Sequence, residues 1–369
     1  MKILINGSNL KVGGGLQVCL SVLDELNTLS NDSNSYLVVM STKLSNLINI
    51  EKFDDRFDFV TLEDSKLKLN KALDKLVDSH LCNVVFTVFG PAYWRPKVPH
   101  VLGFANGWMI NPNSLAESNL SLLSKLKLRV KNKFRLWMLA RDADIYITET
   151  YTAKKKLSRY SSIDCDNIFV VGNTVHPLFY DDSKWGDIEL PVKKANDFVF
   201  CIIAHNYPHK NLKAILSVLE DSSLNHVNFI VTIDEDSFKQ LFSGYTNRVI
   251  NLGRVEIEKC PSIYAHSDGL FFPSLLETFT AAYPEAMFMR CPILTSDLDF
   301  AHDICGDAAL YFDPTDSMSI TSAVRKFIEN KKLRLSIVEN GSKRFLNLES
   351  SFTRTVKYLE LCNRANKTK

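Results

Sequence analysis

Two carboxylates with seven residues between them, Glu277 and Glu285, lie in the segment of this chain best suited to chemistry. They follow a short apolar run, and small residues and Pro284 stand between them. Because proline is tolerated in the first turn of a helix, the pattern predicts a strand, a loop carrying Glu277, and the beginning of a helix carrying Glu285. Backbone N–H groups at a helix beginning attract a diphosphate, and carboxylates beside it accept hydrogen bonds from ligand hydroxyls. These are the groups that a nucleotide-sugar site needs.

A lysine in the segment 202–216 has the second pattern of interest. Lys210 precedes a predicted helix, which we expect Asn211 to cap. A lysine in this position is suited to neutralise the negative charge that develops on a leaving phosphate. His205 in the same loop can donate a hydrogen bond and is charged only below its pKa. The alternative interpretation is a polar turn without a ligand.

Three consecutive glycines, Gly13, Gly14 and Gly15, follow the first predicted strand and open a helix expected to begin at Leu16. Glycines permit positive φ and a close approach of the backbone to a ligand. Val18 stands where a dinucleotide fingerprint requires its third glycine, which disfavours a Rossmann oxidoreductase. A tight turn between strand and helix remains the alternative for this loop.

The elements that position these residues alternate between short apolar strands and amphipathic helices. This alternation predicts an α/β protein with parallel sheets covered on both faces. The pattern breaks at residues 177–197, which are polar and contain prolines, and it restarts at Phe198. We therefore expect two domains, at 1–180 and 190–349, with a terminal helix at 350–369 that packs back on the first.

Composition restricts the class of protein. The chain has 369 residues, 46% of them hydrophobic, and a net charge of +2, so no overall field points to nucleic acid as a partner. Eight cysteines are scattered singly, as expected of buried residues in a reducing cytosol. No apolar run reaches the ~20 residues that span a bilayer, and the opening residues predict a strand rather than a signal peptide. We interpret Asp297 and Asp299 as the beginning of a loop and expect no metal site.

The segments around Glu277, Lys210 and the glycine loop resemble the retaining glycosyltransferases of family 4, which have the GT-B fold. The resemblance implies that Glu277 lies near the transferred sugar, Glu285 binds the ribose hydroxyls and Lys210 binds the diphosphate. His205 stands where the family has arginine, and Thr278 and Thr280 stand where it has glycine. The other donor-binding positions that it implies are Gly13, Gly14, Gly15, Val255, Phe279, Thr280 and Ala281.

The same resemblance implies the architecture and the activity. It predicts two Rossmann-like doubly wound domains facing a central cleft, with the acceptor side at 1–180 and the donor side at 190–349. The donor is a UDP- or GDP-linked sugar, bound without a metal or other cofactor. On the acceptor side the matching positions are Asn106, Trp108 and Glu149, and Asn106 stands where the family often has histidine.

A basic segment at 120–141 holds seven Lys or Arg and no acid. Its apolar residues recur every three or four residues, which indicates a helix. In the shorter part 125–131 apolar and basic residues alternate, so a strand is the alternative there. Such a helix favours docking on an anionic membrane surface, the alternative being a solvated face whose apolar side is ordinary core. We therefore expect a cytoplasmic protein, peripheral at the inner face of the cytoplasmic membrane.

Two functions remain open at this point. The first is transfer of a sugar to a glycan or lipid-linked acceptor in the synthesis of bacterial surface polysaccharide or O-antigen. The second is a non-catalytic sugar-nucleotide-binding or scaffold protein of the same fold, which the departures at Thr278, Thr280, His205 and Asn106 favour. The sequence does not identify the sugar, the nucleobase or the linkage.

Overall fold

The computed structural model describes residues 1–11, 13–62, 69–118 and 120–367. The chain forms two compact units. The first comprises 1–112, 120–176 and 349–369, and the second comprises 113–119 and 177–348. The chain thus passes to the second unit at Pro177, whereas the sequence placed this change between 180 and 190. The predicted terminal helix was 350–369, whose last two residues lie outside the described part.

The first unit contains a seven-stranded sheet in the order β3-β2-β1-β4-β5-β6-β7, and all its strand pairs are parallel. Alternate residues of the first strand belong to different hydrophobic clusters, Ile3 and Ile5 on one face of the sheet and Leu4 on the other. Both clusters include helix residues, so helices cover both faces. The strands are β1 Lys2–Gly7, β2 Ser35–Ser41, β3 Phe57–Leu62, β4 Val84–Thr87, β5 His100–Phe104, β6 Ile145–Thr148 and β7 Ile168–Val170. The helices are α1 Gly14–Thr28, α2 Thr42–Ser45, α3 Leu69–Ser79, α4 Gly107–Ile110, α5 Leu122–Asp142, α6 Tyr151–Tyr160 and α14 Ser351–Lys367.

A buried arginine ties α14 to this unit. Arg354 donates from Nη1 to Asn173 Oδ1 over 2.5 Å and from Nη2 to Ser21 Oγ over 2.8 Å. Tyr358, one turn later, packs its ring against Phe86 of the sheet, with the ring centres 5.0 Å apart. The last helix is therefore part of the core of the first unit.

The second unit contains a six-stranded parallel sheet in the order β10-β9-β8-β11-β12-β13. Its core includes three rings from neighbouring strands: Phe200 stacks on Phe229, and Phe271 meets both of them edge to face. The strands are β8 Phe198–Ile202, β9 Val227–Val231, β10 Val249–Asn251, β11 Gly269–Phe272, β12 Ile293–Ser296 and β13 Ala309–Phe312. The helices are α7 Ala214–Leu219, α8 Glu235–Phe242, α9 Cys260–His266, α10 Ala282–Phe288, α11 Asp299–Cys305, α12 Ser317–Glu329 and α13 Lys331–Leu346.

The expectation of two Rossmann-like doubly wound domains is confirmed by these two parallel sheets. The short apolar runs in the sequence predicted these sheets, because parallel strands that are covered on both faces have continuously apolar sequences. Among the described residues, no helix combines the length and the apolar character needed to cross a bilayer.

Candidate active site

The point where strand order reverses locates the candidate site in the second unit. From β8 the chain builds outward through β9 and β10, then returns to place β11 on the other side of β8. Parallel strands share one carboxyl edge, and the crevice outside that edge at such a reversal is where open α/β sheets bind ligands. The loops that leave β8 and β11 carry Lys210 and Glu277, so both predicted residues stand at this point.

An ion pair joins the two loops. Lys210 Nζ lies 2.6 Å from Glu277 Oε1, and the side chains are only 15% and 10% exposed. The ammonium also lies 4.9 Å from the centre of the Phe272 ring, at the end of β11. A lysine has three N–H donors, so the contact with one carboxylate oxygen uses only part of its capacity.

Two further hydrogen bonds fix the loop that carries Glu277. Ser274, fully buried, donates from its hydroxyl to Glu277 Oε1 over 2.7 Å. The Leu275 N–H donates to the carbonyl of His209 over 2.7 Å, which ties this loop to the one that carries Lys210. The sequence interpretation missed Ser274, although its position three residues before Glu277 is a spacing at which a hydroxyl and a carboxylate can meet.

The cations Lys210 and Arg254 make the edge of the sheet near His205 electropositive. Burial lowers the pKa of His205, and the neighbouring cations Arg254 and Lys210 lower it further. His205 is thus neutral near neutral pH and acts as a hydrogen-bonding group. Val255, one of the predicted donor-binding residues, follows exposed Arg254 in the loop after β10 and is half-buried. These residues lie in loops that leave the same carboxyl edge.

Glu285 has a different environment from Glu277. It lies in the first turn of α10 and is buried, and its Oε2 accepts a hydrogen bond from the Tyr264 hydroxyl over 2.8 Å. Burial raises the pKa of this carboxyl to about 7, and the hydrogen bond from Tyr264 opposes part of that rise. Glu285 therefore lies where burial makes ionisation of its carboxyl group costly.

Tyr264 is a residue of the candidate site that the sequence analysis did not identify. Its ring is buried, but its hydroxyl orients Glu285. The two residues are 21 positions apart on different helices, so no local spacing reveals the contact.

The proposed cap at Asn211 is wrong. The helix begins later, at Ala214, and Asn211 adopts a left-handed conformation with φ 52°. Its side-chain amide donates to the carbonyl of Pro314 over 3.0 Å instead. The physical reason is that Pro208–Lys210 forms a 3-10 turn, which Asn211 ends by reversing the backbone.

The threonines in place of family glycines fit without backbone strain. Neither Thr278 nor Thr280 has a positive φ, and both are buried. Thr280 Oγ1 lies 3.4 Å from the N–H of Ala282, the first residue of α10. The predicted amide-bearing residues Phe279 and Ala281 are half-buried in the same loop.

The predicted residues of the first unit lie at the corresponding ends of its strands. The helix after β1 begins at Gly14 rather than Leu16, and Gly13 needs glycine for its φ of 72°. A side chain at Gly13 or Gly14 would meet no atom within 4 Å, whereas one at Gly15 would lie 3.2 Å from Leu10.

The predicted acceptor residues follow β5 and β6. Asn106 and Trp108 are half-buried at the beginning of α4, and the carbonyl of Trp108 accepts from Asn132 over 2.6 Å. Glu149 Oε1 accepts from the Asn173 amide over 2.9 Å, which joins it to the contacts of Arg354.

The Asp297-Leu298-Asp299 segment lies at the beginning of α11. Asp297 Oδ1 lies 2.6 Å from His302 Nε2, and Asp299 is the first residue of α11. Within the described residues, no group of three or more His, Cys, Asp or Glu side chains has an arrangement suited to holding a metal ion.

Comparisons with known proteins show similarity in sequence and in fold. Residues 184–344 match the family Glycosyl transferases group 1. The O-antigen chain mannosyltransferase RfbU of Salmonella typhimurium is 25% identical over 202 residues, 53% of this chain and 54% of that protein. The O-antigen chain mannosyltransferase B of Escherichia coli is 28% identical over 113 residues, 30% of this chain and 29% of that protein. The matched part of the chain thus spans about half or less of the length of these curated relatives.

Solved structures share the fold over nearly the whole chain. Anabaena Alr3699/HepE, solved with UDP and glucose, has a TM-score of 0.72 at 17% identity and covers 99% of this chain and 100% of its own. WaaG, a glycosyltransferase involved in lipopolysaccharide biosynthesis, has a TM-score of 0.70 at 13% identity, covering 98% and 99%. The chain has the fold of these structures, and its residues 184–344 match the model of the family Glycosyl transferases group 1.

Proposed function

We propose that this protein is a glycosyltransferase that moves a sugar from a nucleotide-diphospho-sugar to a hydroxyl of a glycan acceptor. The observation that carries the proposal is the ion pair of Lys210 and Glu277 at the strand-order reversal of the second unit. This pair lies inside the matched segment 184–344. HepE, which shares the fold, was solved with UDP-glucose, and this supports a nucleotide-sugar as the ligand.

Each side chain has a part in the proposed reaction. The bond between the sugar C1 and the diphosphate breaks with both electrons on the leaving oxygen, and a bond forms from the acceptor oxygen to C1. The proton of the acceptor hydroxyl leaves with the diphosphate. Lys210 stabilises the departing charge, with Arg254 and the N–H of His205 nearby.

The carboxylates bind hydroxyls in this proposal. Glu277, held by Ser274, accepts from hydroxyls of the sugar, and Glu285, held by Tyr264, accepts from those of the ribose. A carboxylate gives strong, directional acceptors for such groups. We propose that Gly13, Gly14 and Gly15 contribute backbone amides to the diphosphate, and that Asn106, Trp108 and Glu149 serve the acceptor.

The finer parts of the proposal are retention of configuration, independence from metal and a lipid-linked acceptor in O-antigen synthesis. Retention rests on the Glu-x7-Glu resemblance. Metal independence rests on the cationic side chains around Lys210, which supply the charge that a metal would otherwise supply. The O-antigen role rests on the similarity to RfbU and mannosyltransferase B.

The test is release of nucleoside diphosphate from a panel of UDP- and GDP-sugars, with and without a chelator, by purified protein. Lys210→Gln keeps an N–H donor for Glu277 but removes the charge, and we expect it to lower kcat by roughly 10²- to 10³-fold. Lys343→Gln is the matched control, since Lys343 also pairs with a glutamate, at 2.9 Å, but on an exposed helix.

The outcomes separate the two functions left open by the sequence. Binding of a nucleotide-sugar without turnover in the presence of acceptor glycans would favour the non-catalytic alternative. Equal turnover in Lys210→Gln and Lys343→Gln would contradict the assigned site. The anomeric configuration of the product, read by NMR, decides retention.

A further inference from the structure

The outward face of α5 carries an apolar strip. Its six members, which we call the α5 seam, are between 48% and 84% exposed: Leu122, Leu123, Leu126, Val130, Phe134 and Trp137. At 100° per residue they occupy one arc of about 120°, and at 1.5 Å per residue the strip is about 22 Å long. An exposed contiguous strip of this kind on a soluble fold indicates an interaction surface.

The opposite face of α5 anchors the helix in the first unit. Leu136 and Leu139 are buried in a cluster with Met109 and Ile110 of α4. Asn132, on the same face, donates to the backbone of α4. The sequence analysis left open whether the apolar repeat was ordinary core. That alternative is wrong for the seam, because other residues of α5 form the core contact.

Cations border the seam on both sides. On a helical wheel at about 100° per residue, Lys127 and Arg129 lie about 20° beyond the two edges of the seam. Lys131 lies about 60° beyond the edge near Lys127, and Lys133 lies within the arc of the seam. Arg141 lies at the end of the seam with its guanidinium 4.0 Å from the Trp137 ring centre. No acid occurs from residue 120 to 141.

The exposed apolar seam and the cations beside it favour an anionic lipid surface as the partner. An apolar strip with basic margins matches the boundary between the headgroups and acyl chains of an anionic bilayer, where long basic side chains reach the phosphates. A second copy of the chain is a poorer partner, since a two-fold contact along the seam would bring the cations of one helix against those of the other.

We propose that α5 docks on an anionic lipid surface, lying in the plane of the membrane with its seam among the acyl chains. This docking does not depend on sugar transfer. Its test therefore uses no activity readout and remains valid if the proposed function fails.

The first experiment is cosedimentation of the full chain with vesicles of phosphatidylglycerol and phosphatidylcholine, and with vesicles of phosphatidylcholine alone. We expect binding to the first and at least about 30-fold weaker binding after Leu126→Gln, Val130→Gln and Phe134→Gln together. All three are exposed, so folding is preserved, which circular dichroism checks. The matched control is Leu335→Gln with Leu346→Gln, two exposed leucines of α13.

The second experiment removes charge. Lys127→Gln with Lys131→Gln should weaken binding about 25-fold, at about fivefold for each cation near an anionic surface. Lys331→Gln with Lys332→Gln, exposed lysines of α13, should leave it unchanged. The emission of Trp137, identified by its loss in Trp137→Phe, should shift to shorter wavelength with anionic vesicles.

Three results would overturn the proposal. The first is no binding of the wild-type chain to the anionic vesicles. The second is equal binding by the seam variant and its control. The third is a dimer in light scattering that the seam substitutions dissociate, which would assign the seam to a second copy of this chain.

Discussion

Glu285 should reduce the stability of the protein above neutral pH. Its pKa is raised by burial from 4.5 to about 7, so the folded state holds a proton that the unfolded state has released between these values. Stability therefore falls as pH rises through this window. At 1.36 kcal/mol per unit, the loss is about 3 kcal/mol once Glu285 is fully ionised.

Glu285→Gln removes this titration while keeping an oxygen that can accept from Tyr264. We expect its free energy of unfolding, relative to wild type, to increase by about 3 kcal/mol between about pH 5 and about pH 8. Urea denaturation across this range, followed for the unfolding of the second unit, measures the difference. Glu329→Gln, an exposed acid in the same unit, should stay within about 0.5 kcal/mol of wild type at each pH.

A flat difference between Glu285→Gln and wild type would refute the reasoning, since it would mean that the carboxyl is not held in a desolvated state. The expected gain in stability should accompany weaker nucleotide binding. A buried carboxyl group that costs stability is typical of a functional site.

Three other substitutions test separate contacts. Ser274→Ala removes the hydroxyl that donates to Glu277 and should lower kcat/KM about tenfold in the donor assay, since hydrogen bonds to charged groups contribute about 1.5–3 kcal/mol. Tyr264→Phe should weaken nucleotide affinity about tenfold in calorimetry, because Glu285 loses its donor. Arg354→Ala should destabilise the first unit by about 3 kcal/mol in urea denaturation, because it leaves a cavity and buried acceptors without a donor.

Each of these has a result that contradicts it. Unchanged kcat/KM in Ser274→Ala would mean that the ion pair alone fixes Glu277. Wild-type affinity in Tyr264→Phe would remove Glu285 from the nucleotide site. Unaltered stability in Arg354→Ala would show that packing around Tyr358 alone holds α14.

Much of the fold follows from local sequence signals. Buried parallel strands are short and continuously apolar, so the runs 198–202 and 269–272 could be recognised as strands from the sequence. The polar break at 177–197 separates the two sets of strands. Pro284 and the small residues before it likewise locate the loop and the helix that carry the two glutamates. These signals depend on backbone geometry within a few residues.

What the sequence did not predict depends on contacts between distant residues. Ser274, Tyr264 and the true role of Asn211 are defined by partners on other loops and helices. The exposure of the α5 seam could not be predicted for the same reason. Periodicity in the sequence reveals an apolar face of a helix, but it does not show whether another element covers that face. Residues 132, 136 and 139 supply the core face instead.

The most direct test of the central claim is calorimetric titration of UDP and GDP into the wild-type chain and into Lys210→Gln. We predict that at least one of these nucleotides binds the wild type, and that its affinity falls about 100-fold in Lys210→Gln, as expected for loss of a charged contact to phosphate. Lys343→Gln should bind like the wild type. Failure of both nucleotides to bind the wild type, or equal affinity in Lys210→Gln, would contradict a diphosphate site at the Lys210–Glu277 pair.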